Sequence, residues 1–144
     1  MSAMSDYLEN KLVDQLFRGQ SAPTTTTLYV GLLTAAPSDS GGGTEVSGGS
    51  YTRVTVTSSL ANWAGTQAAA STVASSGTGG QTSNNAAITF PTPTATWGLV
   101  THFGIYDAAS AGNLLFWGAL TIAKTINQAD TVTFPAASLS VTFA

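Results

Sequence analysis

Few side chains in this sequence could do chemistry. His102 is the single histidine and cysteine is absent. A metal centre would therefore have to be built from His102 and carboxylates, and disulfides and thiol catalysis are excluded together. Outside the first 18 residues the acids are Asp39, Glu45, Asp107 and Asp130, each in a different turn, where a carboxylate usually caps nearby backbone amides. A triad of Ser110, His102 and Asp107 can be written down, but no strand–turn–helix nucleophile elbow surrounds Ser110. No two carboxylates share a strand face as a glycoside-hydrolase pair would. The glycine-rich stretch 38–50 lacks the lysine and following helix of a phosphate cradle, and a strand follows it instead. We expect no catalytic residue, no cofactor and no metal, with His102 taking one hydrogen bond on a strand face.

Composition moves attention from chemistry to contact. Charged residues make up 8% of the chain, against about 25% in an ordinary soluble domain. The surface must be built from Ser, Thr, Gly, Ala and Asn, which suits a surface covered by protein partners. Five of the eleven charges, Asp6, Glu9, Lys11, Asp14 and Arg18, lie in the first 18 residues. Four scattered basic residues make no patch that could neutralise a phosphate backbone, so nucleic acid is not an expected partner. No apolar run approaches 18 residues, and the start MSAMSDYLEN lacks the basic and apolar regions of a signal peptide. A soluble protein made in the cytoplasm, without a membrane partner, is expected.

The elements that would position these side chains follow from periodicity. Residues 6–18 read as a helix, with Asp6 as N-cap, Glu9 three residues on and Gly19 as stop. Leu8, Leu12 and Leu16 fall on one stripe, widened by Val13 and Phe17. The helix either docks on its own domain or forms an arm that docks on a neighbouring subunit, so Leu8, Leu12 and Leu16 are interface candidates. Residues 20–27, with Pro23 and four threonines, read as extended linker.

Beyond the linker, LYVGLLT at 28–34 reads as a central strand, and Val54 and Val56 alternate with polar neighbours, placing Arg53 on a polar face. Residues 58–85 are too long for a bare loop in a compact domain, so they either lie on a partner or hold short irregular strands without a visible period, and Trp63 is their anchor, either plugging the core or serving as an interface hot spot. The densest apolar content, residues 100–120, reads as a buried hairpin that organises the fold. About seven short strands argue a mainly β chain: an antiparallel β-sandwich or jelly-roll-like domain with one short N-terminal α-helix. The expected organisation is a helix or arm over 1–19 and a single β-sandwich domain over 20–144, with polar excursions at 38–50 and 58–85.

Two stretches, TAAPSDSGGGTEVSGGSYTR and THFGIYDAASAGNLLFWGAL, together with the opening SDYLENKLVDQLFRG, carry a resemblance to a family. The chain resembles the small tailed-bacteriophage virion structural proteins commonly labelled phage tail fibre proteins, over most of its length and more weakly across 58–85. The resemblance implies a structural component of a phage particle, with no catalytic residues to carry over. The sequence has neither trimeric repeats nor a coiled-coil seam to supply length. We therefore expect a capsid decoration, or cement, protein that binds and stabilises the major capsid protein lattice in the virion. It would act as a homo-oligomer, with a trimer around local threefold axes as one form. The alternative is a tail fibre or baseplate component with receptor or carbohydrate binding.

Overall fold

The structure, a computed structural model, describes residues 2–21 and 25–143. Pro23 of the expected linker lies outside the described residues. In chain order the elements are β1 (Ser2–Met4), α1 (Asp6–Arg18), β2 (Thr27–Ala35), β3 (Thr44–Glu45), β4 (Val54–Thr57), β5 (Gln81–Ser83), β6 (Ile88–Thr89), β7 (Gly98–Tyr106), β8 (Leu114–Ile126), β9 (Thr133–Phe134) and β10 (Ser140–Thr142). The chain is mainly β, its pairings are antiparallel, and its one α-helix is the short N-terminal one among the described residues, as expected.

The hairpin of densest apolar content, β7–β8, lies at the centre of the main sheet, whose order is β1-β8-β7-β2-β3, with β4 on the same edge of β2 as β3. Register sorts the side chains. Val30 faces Ile105, Leu32 faces Phe103, and Ile105 faces Phe116, so these residues share one face. That face is the core, covered by Ile88, Phe90, Trp97, Leu139 and Val141. The cover comes from two small ribbons, β5–β10 and β6–β9, and from the loops that lead into them. Phe134 packs edge-on against both Phe90 and Phe103, at centroid distances of 6.2 and 6.4 Å, and so joins the layers.

The polar excursions fold back on the body. Gly49 accepts the Trp97 indole N–H at 2.9 Å and the Thr94 amide at 3.0 Å. Residues 58–85 contain β5, which the uniform Ser, Thr and Asn composition concealed. Their end is fixed by buried Asn84, whose amide donates to the carbonyls of Ala86 and Pro135, each at 2.8 Å, and accepts the Leu139 N–H at 2.9 Å. β5 is a short strand of the kind that one of the two readings of 58–85 allowed, whereas β1 and β3 were not expected.

Two expectations about the hairpin and helix need correction. The hairpin is not internal throughout: Leu114–Phe116 and Gly118 are buried, but Ala119 and residues 121–125 are exposed. β1 covers only Phe116–Gly118 on the outer edge of β8, and the pairing with β7 bulges between His102 and Val100. The N-cap of α1 is Ser5 rather than Asp6, because Ser5 has the extended backbone a cap requires, φ −81° and ψ 152°. Its hydroxyl accepts the Leu8 N–H at 3.4 Å and donates to the Leu114 carbonyl.

Candidate functional site

His102 and Asp107 bond to their own neighbours, and Ser110 stands apart from both. His102 Nδ1 is 2.8 Å from the Thr101 hydroxyl, and its ring tilts against Trp117, which is the single hydrogen bond expected of it. Asp107 lies five residues farther along, about 16 Å at strand spacing. Both its oxygens accept from Asn113, one from the backbone N–H and one from the side-chain amide, each at 2.7 Å. Ser110 is exposed on the turn between β7 and β8. The triad is not assembled. Among the described residues no group of three or more His, Asp or Glu side chains is placed to hold a metal, and no helix is long and apolar enough to cross a membrane.

Asp107 and Asp130 serve their own turns, as turn acids do, Asp130 accepting the Asn127 N–H at 2.8 Å. Glu45 does not. It accepts Arg53 Nε and Nη2 in a fork at 2.8 and 2.7 Å and the Tyr51 hydroxyl at 2.8 Å. That hydroxyl in turn accepts the Leu32 N–H at 2.8 Å, in the gap where neither β3 nor β4 reaches β2. Arg53 Nη1 donates to the carbonyls of Ala108 and Ala111, and the guanidinium lies 3.4 Å from the centre of the Tyr106 ring. Sequence reading placed Arg53 on the polar face but missed this cluster, because its members meet only across strands.

Burial raises the pKa of Tyr51, and the negative charge of Glu45 adds to the shift; Tyr106 is raised for the same two reasons. For Arg53, burial pulls the pKa down, but the bonds to Glu45 outweigh it and hold it above its ordinary value. Both phenols therefore stay protonated and the guanidinium charged at neutral pH. Glu45, Tyr51 and Arg53 are each bonded to another member or to backbone, so the cluster is a staple joining β2, β3, β4 and the hairpin turn.

Three of the exposed large apolar side chains, Val13, Leu16 and Phe17, lie on α1. None of its residues is buried. Leu8, with Tyr7, packs partly against the core. Leu12 is half-buried, whereas Leu16 is 71% and Phe17 81% exposed, and Val13 is exposed as well. Glu9, Leu12, Val13, Leu16 and Phe17 follow the i, i+3, i+4, i+7, i+8 rule and form one stripe. The half-buried Tyr7, Lys11 and Asp14 lie on a different side. The helix thus sets Tyr7, Leu8, Lys11, Leu12 and Asp14 toward the body and leaves Val13, Leu16 and Phe17 in solvent.

Of the four sequence-derived candidates, the structure brings Leu12 and Leu16 together, turns Leu8 inward and leaves Trp63 apart. Trp63 packs partly against the core and pairs with Asn84, its buried indole N–H lacking an acceptor among the described residues. Sequence reading missed Ile122, which is 80% exposed on β8. A lone isoleucine among Thr and Ala gave no period to find it by.

The fold is a mainly antiparallel β one with a single N-terminal helix that carries exposed apolar residues. The chain belongs to the family described as Gp80, podophage GP4 fiber I protein gp80, whose profile matches residues 3–142. This is a phage virion structural family carrying a fibre label, as the sequence resemblance implied. No curated protein matches the chain.

Proposed function

We propose that the protein is a non-enzymatic structural subunit of a phage fibre, held in the virion by contacts made through the outward stripe of α1. The observation that carries this reading is the orientation of that helix. A separately charged amphipathic helix that leaves Val13, Leu16 and Phe17 in water has its apolar partner outside its own chain. The fibre label of the family supports the location. No residue is assigned a catalytic, cofactor or metal role.

The second reading is capsid decoration, with the major capsid protein or another virion protein as partner. It is favoured by the shape of the elements: α1 is about 20 Å long, and β8, with 13 residues, spans at most about 43 Å. A chain of this build adds to a surface in many copies more readily than it forms a shaft. Immunogold labelling of intact particles tests both readings. Label on the fibres supports the first, label spread over the head overturns it in favour of decoration, and particles without label overturn both.

A further inference from the structure

The two small ribbons do not cover the whole core face of the main sheet. Where β8 continues past the end of β1, a groove of about 730 Å³ opens beside the 131–135 segment and β10, within the volume range of ligand pockets. Its floor includes Val100 and Phe103, both buried core residues, and Leu120, Ile122, Val132 and Phe134 line its walls. The groove therefore reads as a missing piece of the second layer. No residue of α1 lines it, so the helix of the same chain does not fill it.

The chain carries a plug of matching character. Val13, Leu16 and Phe17 cluster within about 6 Å of helix rise, and all three are exposed. Charge matches as well. Lys124 is the only ionisable residue lining the groove, and it has no ion-pair partner among the described residues. The stripe of α1 carries one acid, Glu9, and no base: Lys11 lies off the stripe, as does Arg18, which is tied to Asp14 at 3.2 Å. An acidic apolar plug and a basic apolar socket thus sit on separate surfaces of one chain.

We propose that α1 of one copy docks in the β8 groove of a second copy, placing Phe17 and Leu16 over Val132 and Phe134 and Glu9 beside Lys124. The contact is head-to-tail, so repetition closes a ring or extends a filament. The proposal rests on the reading of α1 as the contact element and adds the identity of its partner.

Two full-length variants change only exposed residues: a plug variant, Leu16→Asp with Phe17→Asp, and a socket variant, Ile122→Asp with Lys124→Glu. Sedimentation equilibrium should find the wild type self-associating and each variant at least about tenfold weaker, equivalent to about 1.4 kcal/mol. Mixing the two should restore one intact contact and give heterodimers that grow no further. The chain has no cysteine, so Phe17→Cys with Ile122→Cys should also form disulfides between copies under oxidation. A monomeric wild type overturns the proposal, as does a socket variant that associates like the wild type, which is the behaviour of helix-to-helix pairing. A monomeric wild type whose plug variant still fails to enter particles overturns the self-contact alone and leaves the proposed function standing.

Discussion

The Arg53 guanidinium lies 3.4 Å from the centre of the Tyr106 ring while its fork grips both oxygens of Glu45. Removing the cation leaves a partly buried carboxylate unpaired and two turn carbonyls, of Ala108 and Ala111, without their donor. Arg53→Ala is expected to cost about 3 kcal/mol in urea unfolding, the low end for a broken buried pair, because the Glu45 side chain keeps 26% of its exposure. Arg53→Lys should recover little of it, since an ammonium cannot fork to the carboxylate and lie flat on the ring. A Lys variant as stable as the wild type would show that charge alone matters there.

The same ring explains a pair of glycines. Gly31 and Gly104 face each other across β2 and β7. A Cβ on Gly104 would stand 2.7 Å from Tyr106 Cε2, and one on Gly31 would stand 2.9 Å from Glu45 Oε1. Gly104→Ala should destabilise by about 1–3 kcal/mol through overpacking. In a Tyr106→Val background the same change should cost almost nothing, so a double-mutant cycle should be strongly non-additive. Additive costs would place the strain elsewhere.

Tyr51 and Tyr106 have pKa values raised above the ordinary phenol value by burial and by Glu45. The sign follows: the unfolded chain loses these protons near pH 10, before the folded protein does, so their contribution is fully present below pH 10 and is lost as pH rises further. Each group can contribute a slope of up to about 1.4 kcal/mol per pH unit while only its unfolded form is ionised. Urea midpoints should be insensitive to these tyrosines at pH 7–9 and fall above pH 10. Tyr51→Phe should flatten the fall, and an unchanged slope would remove Tyr51 from the account.

How much of this was legible depended on the range of the interaction. The hairpin strands and β4 are written locally, in the run Leu114–Phe116 and the alternation of Val54 and Val56, and both appear where the pattern put them. β1 and β5 are not, because SAM and QTS have no period and become strands only by pairing with β8 and β10. The Glu45–Arg53–Tyr106 cluster joins residues up to 61 positions apart, so nothing local marks it. Spacing put Leu8, Leu12 and Leu16 on one stripe, but not which of them face the body: Leu8 packs against the core while Leu16 is exposed. That depends on what the body offers beneath the helix, where Tyr7, Leu8, Lys11, Leu12 and Asp14 are half-buried.

The direction of α1 is set at its first turn, which makes Ser5 the residue to change. Its backbone N–H donates to the Leu115 carbonyl at 3.0 Å, and its hydroxyl spans the helix start and the Leu114 carbonyl. The Asp6 N–H adds a bond to the Asp39 carbonyl at 2.8 Å. Together these fasten the helix to the start of β8 and to the 38–41 turn, although none of its own residues is buried. Ser5→Ala removes both the cap and the donor to Leu114 but leaves the stripe unchanged. It should cost about 1–2 kcal/mol, with amide exchange rising first in α1. Ser5→Asp keeps an acceptor for the Leu8 amide while placing a carboxylate against the Leu114 carbonyl, so it should preserve helix content yet loosen the helix from the hairpin. If contact with other virion subunits needs a helix held in one direction, Ser5→Asp should enter particles less efficiently than the wild type at equal helix content by circular dichroism. Equal incorporation would mean that the stripe works as a free arm and that the Ser5 anchor serves stability alone.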